Sequence, residues 1–92
     1  MSPVAGCGTL TVMPCFLIHH RHKPEECAVA FAAFKGHDSA VRHRPALASC
    51  QFGGHSVWWW VEAGDEHEAL ALLPFFVASR ATATRVRAVP IP

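Results

Sequence analysis

The stretch 55-HSVWWWVEA-63 decides how the rest of the chain is read. Its β-branched and aromatic residues suit a pleated, half-buried surface. Strand alternation puts Val57, Trp59 and Val61 on one side and Trp58, Trp60 and Glu62 on the other. Both sides carry large apolar rings, so both call for cover. Just before it, Gly53-Gly54 can take the positive φ angles of a tight hairpin, which makes 46-ALASCQF-52 the antiparallel partner strand. Just after it, Asp65 and Glu68 have the spacing of a helix-opening capping box. That helix directs Ala69, Leu72, Leu73 and Phe76 inward, and Pro74 kinks or restarts it.

Toward the N-terminus, 15-CFLIHH-20 reads as a short buried strand. Pro24 followed by Glu25 and Glu26 starts a helix, because proline lacks only an N–H that would be unpaired there and carboxylates suit the positive end of the helix dipole. Cys27, Phe31 and Phe34 form one apolar stripe on that helix, and Lys35-Gly36 ends it. Toward the C-terminus, 84-TRVRAVPI-91 alternates as a last strand, expected at an edge because Pro90 cannot donate to a ladder. The order is βαββαβ, an α+β ferredoxin-like arrangement with a four-stranded antiparallel sheet and two helices on one face. The other face, carrying Trp58 and Trp60, has nothing in the chain to cover it. Two sheets packed face to face would hide it, which predicts a homodimer and a dimeric α/β barrel.

Ninety-two residues suffice for one domain, read as 13–92 behind an extension at 1–12 that is expected to be poorly ordered. A chain this short buries roughly 60% of its unfolded surface, so its stability is modest unless something is added. Eight Lys and Arg against seven Asp and Glu leave no basic footprint for nucleic acid, and Arg42-His43-Arg44 reads as a solvated loop. No segment has the pattern of a signal peptide or of a membrane span. Cys7, Cys15, Cys27 and Cys50 lack CxxC spacing and read as reduced thiols in a cytoplasmic protein.

The strand running into His-Lys-Pro-Glu-Glu, the Gly-Gly-His hairpin and the passage 61-VEAGDEHEAL-70 resemble the small dimeric α/β-barrel proteins. These include muconolactone isomerase-like proteins and related bacterial families, and the resemblance extends over residues 13–92. It implies a homodimer with a cleft between the two sheets, or between sheet and helices, but no particular reaction. Isomerases, cofactor-independent oxygenases, dehalogenating enzymes and plain binding proteins share that architecture.

Seven histidines stand out in so short a chain. His20 and His22 share a strand face with Phe16 and Ile18, while His19 and Arg21 share the other. Three readings stay open. In the leading one, His20, His22 and Glu62 supply acid–base chemistry beside a ligand cleft lined by Trp58, Trp60 and His55, without a cofactor, in an isomerase-like or oxygenase-like protein. Asp38 is a second candidate carboxylate for those histidines. In the alternative, His20 and His22 form a His-x-His half-site for a divalent transition metal such as zinc, nickel or copper, without catalysis. His55 is then expected at the far end of the sheet from His22, leaving His37, His43 or a partner's residues to complete the set. In the third, the histidines are polar strand-end and loop residues. Cys27 and Cys50 read as packed thiols rather than nucleophiles. Whether anything is turned over stays open.

Overall fold

A computed structural model describes residues 13–42 and 44–92. The extension expected at 1–12, with Cys7, and His43 lie outside the described residues. Four strands form one antiparallel sheet: β1 (Cys15–Arg21), β2 (Leu47–Ala48), β3 (Ser56–Glu62) and β4 (Ala81–Val86). They lie in the order β2-β3-β1-β4, with β1 antiparallel to both neighbours. Three short helices complete the chain: α1 (Cys27–Ala32), α2 (Glu66–Leu70) and α3 (Phe75–Ala78). The sequence of elements and the strand order are those of the ferredoxin-like fold.

Local chemistry sets the helix starts. Pro24 opens a 3₁₀ turn over Pro24–Glu26 that runs directly into α1. The Glu26 carboxylate accepts the Lys23 amide at 2.9 Å, which satisfies a donor that the helix leaves over. Asp65 caps α2 by accepting the Glu68 amide at 2.8 Å. Pro74 is the N-cap of α3: its nitrogen has no N–H to carry a helical ladder on from α2, so the chain restarts there.

Ala69, Leu73 and Val77 bring the helical side of the molecule onto Phe16, Ile18, Val57, Trp59 and Val61, and with Val41 and Ala63 these residues form the core cluster. Ile18 and Ala69 are fully buried. On the opposite sheet face Trp58 and Trp60 are half-buried. His19 stacks on Trp58 with ring centroids 5.2 Å apart and meets the Ser56 hydroxyl at 3.0 Å.

Several expectations are corrected. The strand expected over 46–52 is two residues long, because Cys50–Phe52 turns into a 3₁₀ bend ending in Gly53 at φ 86°. The last strand lies at Ala81–Val86 rather than 84–91, since the small side chains Ala81 and Ala83 pack against the core where the bulkier Arg–Val alternation would not. It is an edge strand, as expected. Phe31, expected on the buried stripe of α1, is largely exposed, and Ala30 takes the inward place. Cys15 is disulfide-bonded, so not all the cysteines are reduced thiols. It stands at the first position of β1, a sheet end where a strand can be cross-linked. The cysteines therefore no longer argue for a reducing compartment. Among the described residues, no helix is long and apolar enough to cross a membrane.

Candidate metal centre

The antiparallel pairing of β1 with β3 puts Arg21 opposite Ser56. One step further, the His22 amide donates to the His55 carbonyl at 3.1 Å. His22 and His55 are therefore neighbours, with ring centroids 5.6 Å apart. This corrects the expectation that they occupy opposite ends of the sheet: in an antiparallel pair the end of one strand meets the beginning of the other.

Two cysteines reach the same place. From His22 the chain turns through Pro24 and delivers Cys27 at the first position of α1. From the end of β2 it bends back and delivers Cys50, then returns to His55 through Gly53-Gly54. This second loop is tied by the Ser49 amide to the Ser56 carbonyl at 2.9 Å and by the Ser56 amide to the Ser49 hydroxyl at 3.1 Å. Gly54 is required because a Cβ there would run into the Ser49 side chain. The donor atoms of His22, Cys27, Cys50 and His55 all lie within 4.8 Å of one another. A tetrahedral zinc with two thiolates and two imidazoles holds its ligand atoms about 3.3 to 3.8 Å apart, so closure needs shifts on the order of 1 Å. The Cys50 sulfur and His22 Nε2 are already 3.5 Å apart.

A chain of hydrogen bonds fixes which nitrogen of His22 is available. His20 Nδ1 lies 3.0 Å from the Val77 carbonyl oxygen, which can only accept, so the His20 proton is on Nδ1. A neutral His20 then presents a bare Nε2, which accepts from His22 Nδ1–H at 3.0 Å. His22 is left with a lone pair on Nε2, facing Cys50. Its tautomer is thereby the one a metal ligand needs. Burial holds both rings below the ordinary histidine range: for His20 only partly offset by the Val77 bond, and for His22 reinforced by the neighbouring His55 ring. Both effects favour the neutral forms that coordination requires.

His55 brings a different signal. Its backbone sits at φ 50°, in the left-handed region that non-glycine residues seldom occupy. Its buried Nδ1 has no hydrogen-bond partner. A strained residue holding an unsatisfied buried nitrogen against two thiols and an imidazole suits coordination to an electron-pair acceptor such as a metal ion. Cys27 and Cys50 are both free. Burial and then the Cys27 hydrogen bond push the Cys50 thiol up, so coordination must displace its proton.

The other expected site residues go elsewhere. His20 and His22 lie on the helix-covered face, whereas Trp58, Trp60 and Glu62 alternate onto the other. Glu62 pairs with Cys15, at the opposite end of β1 from His20. The pocket expected to join His20, His22 and Glu62 with both tryptophans is thus divided by the sheet itself. His37 Nε2–H donates to the Leu72 carbonyl at 3.0 Å and so is engaged away from the metal-ligand set. His20 stands behind the metal-ligand set, with both ring nitrogens engaged. Sequence reasoning missed Cys27 and Cys50. Their signal is the mirrored spacing of 22-HKPEEC-27 and 50-CQFGGH-55, each pairing a histidine and a cysteine across four residues.

No protein-family model matches the chain, and no curated protein or solved structure does so.

Proposed function

We propose that the protein binds a transition-metal ion, zinc foremost, through His22, Cys27, Cys50 and His55. The observation that carries this reading is the convergence of two thiols and two imidazoles within 4.8 Å from two separate loops. A two-sulfur, two-nitrogen tetrahedral set suits zinc, and four protein ligands leave no open position for substrate. The role is therefore structural: the ion ties the end of β1, the start of α1 and the β2–β3 loop into one unit. Helices of six, five and four residues have little stability of their own. A metal cross-link compensates for such short elements in a small domain. Of the residues in the original His-x-His reading, His22 is a ligand and His20 orients it.

The test is calorimetric titration of zinc into tag-free, reduced protein, with proton release measured in parallel. One zinc per chain is expected, with about two protons released as the thiols ionise. Cys27→Ser and Cys50→Ser should each weaken binding by about a hundredfold, and His19→Ala, on the opposite sheet face, should leave it unchanged. Absent binding, or equal affinity in all four proteins, sinks the reading. A ligand cleft joining Trp58 and Trp60 with His20, His22 and Glu62 has no comparable support, since those groups lie on opposite faces of the sheet.

A further inference from the structure

Outside the metal centre, against the solvent side of His22 and His55, lies a cleft of about 510 Å³. Arg21, Lys23 and Arg80 line it, against a single carboxylate, Glu26. That carboxylate is already spent: one oxygen accepts the Lys23 amide at 2.9 Å and the other pairs with Arg80 Nη2 at 3.1 Å. Arg80 is anchored further by the Phe76 carbonyl at 3.2 Å and by lying over the Phe76 ring, 3.9 Å from its centroid. The side chains of Arg21 and Lys23 have no hydrogen-bond or ion-pair partner among the described residues.

We infer that this cleft binds the phosphate group of a small phosphorylated molecule, with Arg21 and Lys23 as direct contacts and Arg80 as a fixed positive wall. Three cations facing one neutralised acid leave an excess of positive charge at a concave site, which favours an oxyanion of more than one charge. Arginine can present two parallel N–H donors to such a group, while lysine adds a mobile point charge. The volume exceeds what phosphate alone would fill, leaving room for an organic portion along Gly53 and Gly54, where no side chain intrudes. Zinc with two thiolates carries the same net charge as two neutral thiols, so loading the centre leaves the charge facing the cleft unchanged.

The experiment titrates zinc-loaded full chain at low ionic strength with inorganic phosphate, glycerol phosphate and glycerol, measuring zinc content in every sample. Saturable binding of both phosphates, weakening as salt is raised, is expected, with none for glycerol; glycerol phosphate should bind more tightly if the organic portion is held. Arg21→Gln and Lys23→Gln should each cost about tenfold in affinity, the size of one charge-assisted contact. Both side chains are exposed, so circular dichroism and zinc content should stay as in the unaltered protein. No saturable phosphate binding, or undiminished binding by the Arg21→Gln/Lys23→Gln double variant, overturns the inference. Zinc binding without phosphate binding defeats the cleft alone; phosphate binding without zinc binding defeats the metal centre alone.

Discussion

His55 combines two costs that a polar residue seldom combines at once: a backbone at φ 50° and a buried nitrogen without a partner. Each costs on the order of 1 kcal/mol or more in the metal-free protein. Replacing it by glycine removes both. His55→Gly is therefore expected to leave the apo protein as stable as before or about 1 kcal/mol more stable, while zinc no longer raises its melting temperature. A large loss of apo stability in urea denaturation would show that the ring is a packing element instead. His20 and His22 make a second residue-scale prediction. Their folded pKa values lie below the unfolded value of 6.5, so on acidification the unfolded chain takes up protons first. Stability is then full above about pH 6.5 and falls as pH drops below it. Urea midpoints of the apo protein measured down this range should follow that slope. His20→Gln should reduce the slope, because an amide can donate to the Val77 carbonyl and accept from His22 without titrating. An equal slope in the variant would mean that His20 titrates alike in the folded and unfolded states.

Two connections, residues 22–27 and 49–55, do the positioning at the scale of elements. The first is stiffened by Pro24 and by Glu26 turning back to the Lys23 amide. The second depends on Gly54, whose lack of a Cβ lets the backbone pass the Ser49 side chain. Gly54→Ala should displace Cys50 relative to His55 and lower zinc affinity by tenfold or more, since ligand positions tolerate only small errors. The sheet should survive, because β3 begins beyond the loop at Ser56. Retained zinc affinity, with unchanged circular dichroism, would show that the loop reaches the same ligand geometry without glycine.

At the scale of the whole molecule, the chain has one well-packed sheet face and one face on which Trp58 and Trp60 are half-buried. The homodimer expected from those tryptophans stands as a proposal: two copies packed through that face would complete their burial. Sedimentation at micromolar concentration is expected to give twice the chain mass. A monomer whose tryptophans fluoresce as in bulk water would remove the barrel arrangement.

The order of elements, the helix starts at Pro24 and Asp65, the restart at Pro74 and the alternation of β3 were all legible in the sequence, because each is decided by residues a few positions apart. The same locality let His20 and His22 be assigned to one strand face. It did not reveal that His55 adjoins His22, that Cys27 and Cys50 join them, or that Trp58 and Trp60 are separated from the histidines by the sheet. Those relations span from 5 to 40 residues of chain and arise only when β1 and β3 pair antiparallel and two loops close over one end of the sheet. Periodicity reports which face a side chain takes; only strand register reports which distant side chain it meets there.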